Sequence, residues 1–334
     1  MFLPTNINSS TIPSAGSLQA KIAIVGSHIS LYDRKDMRPF SGPAGGVLES
    51  CLHAAGIIRR EVYLTNLFRQ INLEKEFNPR TGAFSIVGNS CVEELKEELN
   101  SCDANVIVTC GAAATSAVCG IRDISTYRGY IFQSNMGLKE ERKVIPTYEP
   151  SETLRGSYIL RYPMISDFSK ARRFCQTREL TRPDRSLIYN FSDVNEVLEW
   201  LDSYVNVPRL AFDIEVLNYE VSCISFASSP NIACAIPIAN TWSLEEEVLI
   251  WRAIQKILEN PNSAKVVQNG IFDIQFLAAR CGIITQGPIE DTMIAHHIMY
   301  PDLLKGLGFL GSIYCEDQEY WKDMVKFKNI KGNS

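Results

Sequence analysis

The 334 residues carry 33 basic and 38 acidic groups, with 46% of positions apolar and 21% charged, a balance that excludes disordered and collagen-like chains. No apolar run reaches the roughly 18 residues of a membrane-spanning helix, and the start MFLPTNINSSTIPSAG lacks the basic end and long apolar stretch of a secretory signal. A cytoplasmic protein of two domains is expected, without membrane contact. The ten cysteines form no CxxC pair and sit in apolar runs such as VIVTCG and NIACAIP, so they read as reduced, buried small hydrophobes.

Charge divides the chain: residues 1–186 hold 23 basic and 19 acidic groups, residues 187–334 hold 10 and 19. The basic excess gathers at 161–185, where Arg161, Lys170, Arg172 and Arg173 form a stripe suited to a phosphate backbone. A solvated helix followed by a charged linker is the plainer alternative.

In chain order, KIAIVG, a helix near 44–55, VYLTN, a helix near 90–100, NVIVTCG, a helix near 111–119 and KVIPTY alternate as in an α/β sheet with crossover helices. The charged stretch TRELTRPDRS interrupts the pattern and puts a boundary near residue 186. A second series follows: SLIYN, a helix over 193–204, then RLAFDIEV, VSCISFAS and NIACAIPI. Three strands in succession predict an antiparallel meander. A helix near 243–259, AKVVQNG and a helix near 270–281 complete it.

Asp213 and Glu215 are two apart on a predicted strand and project from one face. Paired carboxylates there repel unless cations neutralise them, which points to a divalent metal site. Asn269 and Asp273 are four apart at the start of an amphipathic helix, so a third carboxylate can converge on the first two. His296 and His297 are adjacent and fall on different sides of a helix, and Asp291 reads as a helix cap.

This combination, with the downstream block DTMIAHHIMYPDLLKGLGFLGSIYCED, resembles the 3′–5′ exonuclease domain of family-A DNA polymerases, a ribonuclease H-like DEDD nuclease. The resemblance implies that Asp213, Glu215 and Asp273 bind Mg²⁺ or Mn²⁺, and that Asn269 helps hold the third carboxylate or the substrate strand. Two metals roughly 4 Å apart would activate water and stabilise the departing 3′ oxygen. The family completes its site with a fourth aspartate, four residues after a tyrosine or histidine. Tyr320 and Asp323 have the wrong spacing for that pair, so the exonuclease domain, over 187–334, is expected to be incomplete at its C-terminus and at most weakly nucleolytic.

In the first half, GSHIS at 26–30, PFSGPAG at 39–45, YLTN at 63–66, GAAAT at 111–115 and PTYEPSETLRG at 146–156 resemble in order the uracil-DNA glycosylase superfamily, especially its iron–sulfur branch. That implies a three-layer α/β domain over 18–180, with Phe40 stacking on a flipped base and Asn66 bonding its edge. Gly26, Ser27 and His28 occupy the family's Gly-Glu-x-Pro-Gly loop, and Glu149 stands where the family has a histidine that stabilises negative charge on the uracil. With Gln70 at a cluster-cysteine position and no cysteine pair before Lys21, no iron–sulfur cluster is expected.

Glycosylase-like and exonuclease domains in this order resemble the N-terminal part of a phage-type family-A DNA polymerase. The implied partners are DNA, the remaining polymerase domain in cis or in trans, and replisome proteins, in a host cell's cytoplasm. A glycosylase with an altered acid, His28 or Glu149, and a purely scaffolding module are the alternatives. A second polypeptide could also complete the exonuclease site.

Overall fold

The structure, a computed structural model, describes residues 11–316 together with Tyr320. It divides into two compact units, one running to Arg182 and taking in the stretch from Gly308, the other spanning Pro183–Leu307.

The first unit contains, in order, β1 (Ile22–His28), α1 (Leu31–Asp36), α2 (Pro43–Ala54), β2 (Val62–Phe68), the short hairpin β3 (Phe77–Asn78) and β4 (Ala83–Phe84), α3 (Ile86–Asn100), β5 (Val106–Cys110), α4 (Ala112–Cys119), α5 (Ile124–Tyr127), β6 (Phe132–Gln133), β7 (Lys143–Thr147) and α6 (Arg161–Phe174). Its sheet runs β2-β1-β5-β7-β6, parallel except for the edge strand β6. Strands covered on both faces must be apolar throughout rather than alternating. Accordingly Ile22 and Ile24 of β1 enter one core layer with Leu48, Leu52, Met164 and Phe168 of α2 and α6. Ala23 and Val25 enter the other, with Leu95 and Leu99 of α3 and Val118 of α4. This is the three-layer α/β arrangement expected from the sequence.

The second unit contains β8 (Ser186–Ile188), α7 (Val194–Tyr204), β9 (Arg209–Leu217), β10 (Glu220–Ala227), β11 (Ile232–Pro237), α8 (Leu244–Leu258), β12 (Ala264–Val267), α9 (Ile271–Phe276), β13 (Ile289–Asp291) and α10 (Thr292–Met299). The expected meander is present, with β9, β10 and β11 antiparallel. Strands β8, β12 and β13 join in parallel to give the mixed order β13-β12-β9-β10-β11-β8. Strand β9 alternates: Leu210, Phe212 and Ile214 are buried in a core shared with α7 and α8, while Asp213 and Glu215 are exposed on the opposite face. The helix expected over 270–281 is α9 followed by a π turn at Leu277–Cys281.

A last helix, α11 (Leu307–Tyr314), follows. Residues 308–316, which lie in the stretch that the sequence assigns to the exonuclease domain, group by their contacts with the first unit. All ten cysteines are free, six of them buried. Among the described residues no helix is long and apolar enough to cross a membrane.

Candidate functional site

The carboxylates of the second unit meet at an open stretch of strand edge. Pairing of β12 with β9 ends at Ala211, so the next inward N–H on that edge has no ladder partner. Ile214 gives its N–H to Asp273 Oδ1 at 3.1 Å, which brings the α9 carboxylate close enough for its charge to act on Asp213. The Asp213 carboxyl is pushed up to about 6, first by desolvation and then by the charges of Asp273 and Glu215. Burial also raises Asp273, against the hydrogen bond from Ile214. Three carboxylates, of which Asp273 and Glu215 raise the proton affinity of Asp213, are oxygen donors that suit a hard divalent cation in chemistry. As they stand they do not close into a cage: among the described residues no group of three His, Cys, Asp or Glu side chains is arranged to hold a metal.

Asp291 organises this corner. It caps α10, accepting from Met293 N at 2.8 Å and Ile294 N at 3.3 Å, and also accepts from Asn269 N at 3.1 Å and Gly270 N at 2.9 Å. Asn269 is left-handed, φ 57°, a conformation asparagine tolerates better than most residues. Its backbone thus turns the chain into α9. His296 is buried and His297 exposed, as adjacent helix positions require. Asp323 lies outside the described residues, and the Tyr320 ring packs edge-on against Tyr127 and Tyr130 at 5.3 and 5.8 Å.

In the first unit, Gly26, Phe40 and Asn66 come together at the C-terminal ends of β1 and β2, where Gly26 and Asn66 are register partners. A Cβ on Gly26 would lie 2.4 Å from Asn66 Nδ2 and 2.7 Å from Phe40 Cζ, so only glycine lets the ring and the amide approach. Asn66 is 3% exposed. Its Nδ2 donates to His28 O at 3.0 Å, and its buried Oδ1 has no hydrogen-bond partner among the described residues. The His28 ring lies 5.0 Å from that of Phe68.

Phe40 has φ 55°, and two groups outside the motifs hold it there. Arg59 donates to Pro39 O at 3.0 Å and Phe40 O at 2.9 Å, and Asp33 accepts from Ser41 N at 2.6 Å. Nothing in the local sequence announces either role, because both act across the fold.

Ser27 and Glu149 form a second cluster. Ser27 Oγ donates to Cys110 O at 2.9 Å, accepts from Ala114 N at 3.3 Å and is hydrogen-bonded to Glu149. Gly111, φ +90°, leaves room for both, since a Cβ there would lie 2.4 Å from Glu149 Oε2 and 2.7 Å from Ser27 Oγ. Burial, and then the charge of Glu152, push the Glu149 carboxyl up to about 7.

The basic stripe is engaged within the protein. Lys170 corrects the sequence reading: it is fully buried, with its ammonium on backbone carbonyls, because the apolar side of α6 turns it inward. Arg161 bonds the Tyr158 hydroxyl at 2.5 Å and Ser50, Arg172 reaches Ala55 O at 3.4 Å, and Arg173 pairs with Glu316 at 2.6 Å.

Comparison with known proteins accords with both halves. Residues 13–169 match the model of the uracil DNA glycosylase superfamily, and the type-4 uracil-DNA glycosylase of Thermotoga maritima is 30% identical over 173 residues, covering 51% of this chain and 86% of that protein. The chain belongs to the uracil-DNA glycosylase superfamily. Its second half carries a 3′–5′ exonuclease domain, matched over residues 188–328. The DNA polymerase of Bacillus phage SP01 is 22% identical over 332 residues, covering 88% of this chain. The chain spans 34% of that polymerase's length. Among solved structures, Escherichia coli RNase D is 16% identical with a TM-score of 0.34, covering 42% of this chain and 36% of that one.

Proposed function

We propose that this superfamily member handles DNA as the N-terminal part of a phage-type DNA polymerase. In this reading the exonuclease domain engages a DNA 3′ end through a divalent metal, and the glycosylase-like domain holds a base without excising it. The observation that carries the reading is the approach of Asp273 to the face of β9 that bears Asp213 and Glu215. Those three residues would hold the metal, which when bound supplies charge neutralisation at the phosphate and an activated water. The turn at Asn269, tied to Asp291, keeps α9 in position to present Asp273. Hydrolysis is weak in this reading, because among the described residues the carboxylates do not close into a metal-holding group.

In the first domain, Phe40 offers a stacking surface and Asn66 Oδ1 a buried acceptor, two elements of base recognition. Ser27 and Glu149, at the positions where relatives keep glutamate and histidine, are hydrogen-bonded to each other, which supports binding without excision. One observation favours a second reading, an active glycosylase: a carboxyl raised to about 7 can serve as a proton donor at neutral pH.

A single experiment separates these readings. The purified chain is incubated with 3′- and 5′-labelled single-stranded DNA containing one uracil, with Mn²⁺ or with EDTA, and each sample is divided for alkali treatment. The proposal expects metal-dependent retention of DNA with at most slow trimming from the 3′ end. An alkali-dependent break that survives EDTA would establish the second reading, and absence of DNA retention under all conditions would overturn both.

A further inference from the structure

In the glycosylase-like unit a cluster of two buried cations and one buried carboxylate plays no part in the base site. Arg128 and Lys170 are 1% and 0% exposed, and Asp167 is 0% exposed. Arg128 pairs with Asp167 through two nitrogens, Nε at 3.1 Å and Nη2 at 2.5 Å. Lys170 is satisfied differently. Its Nζ donates to Gly129 O at 2.6 Å, Ser312 O at 2.8 Å and Cys315 O at 3.3 Å, so two of its three acceptors come from the stretch after Gly308.

We propose that this stretch is a built-in clasp of the glycosylase-like unit, seated on Lys170, Arg128 and Tyr130, and that it fixes the strand end leading to Glu149. A buried ammonium is tolerated only when its protons are accepted. Two cations against one carboxylate also leave an uncompensated positive charge. The C-terminal carbonyls of α11, with their partial negative charge, face that excess. The rest of the seat is specific as well: Arg128 Nη1 donates to Ser312 Oγ at 3.0 Å, Tyr130 donates its hydroxyl hydrogen to Gly308 O at 2.6 Å, and the Arg128 guanidinium lies 5.2 Å from the centre of the Phe309 ring.

From the clasp the contacts lead to the base site. Asp167 Oδ2, held by Arg128, accepts from Thr147 Oγ1 at 2.7 Å. Thr147 is the last residue of β7, two before Glu149, and its carbonyl accepts from Gly111 N at 3.0 Å. Releasing the clasp removes acceptors from Lys170 and Arg128, loosens Asp167 and frees the strand end.

Hydrogen exchange on the full chain tests this. Lys170→Met is expected to speed amide exchange at 308–316 by on the order of tenfold, with a smaller rise at 147–149 and none across 209–267. Unchanged protection at 308–316 overturns the proposal, as does a rise spread evenly over both units. Tyr130→Phe removes one hydroxyl and no charge, so it keeps the test available if Lys170→Met does not fold. Raised exchange at 308–316 in that variant supports the clasp, and unaltered exchange there refutes it.

Discussion

Glu149 couples the chemistry of one residue to the stability of its domain. Its carboxyl is raised from an ordinary value near 4.5 to about 7, so the folded state binds the extra proton. The resulting stabilisation is complete below about pH 4 and is lost as pH rises through about 7. Glu149→Gln keeps the shape and abolishes the titration. Urea unfolding should therefore find the variant more stable than the parent at about pH 8 by about 1–3 kcal/mol, and nearly equal to it at about pH 4. Equal stability at the higher pH would mean that Glu149 is not held protonated.

Asp213 follows the same sign, with its proton competing with a metal. Mn²⁺ should raise the melting temperature at about pH 8 by a few degrees and much less at about pH 5. Asp213→Asn should remove most of that response while leaving the metal-free protein as stable as the parent or more so, since one repelling charge is gone. A full Mn²⁺ response in the variant would separate the metal effect from this carboxylate.

At the scale of elements, Asp291 shows how one side chain can join two helices. It caps α10 and ties the turn that launches α9. Asp291→Ala should cost about 1–2 kcal/mol, more than an ordinary cap, because the part-buried Gly270 N–H at the turn loses its acceptor along with the two N–H groups of α10. Exchange at 269–276 should rise with it, and a cost confined to 292–299 would show that only the cap matters. The β12–β9 pairing works through an absence: by stopping at Ala211 it leaves Ile214 N–H available to Asp273. One more ladder bond would have displaced the carboxylate.

For the whole molecule, two compact units, each with its own buried core, predict two calorimetric transitions. Mn²⁺ should move only the one belonging to Pro183–Leu307. A single transition, or a shift of both, would show that the units unfold together.

Much of this organisation was legible in the chain itself, because it depends on local spacing. Continuous apolar runs required strands covered on both faces, the D-x-E alternation put Asp213 and Glu215 on one side of β9, and the order of loops identified the superfamily. Tertiary structure decided what depends on residues far apart. Arg59 and Asp33 pin Phe40 across the fold, Glu149 meets Ser27 only once β1 and β7 share a sheet, and Lys170 turns inward to the stretch after Gly308 instead of outward to a phosphate. Local spacing fixes which way a side chain projects from its own element; which partner waits there is set by packing, and for a buried charge that partner determines the role.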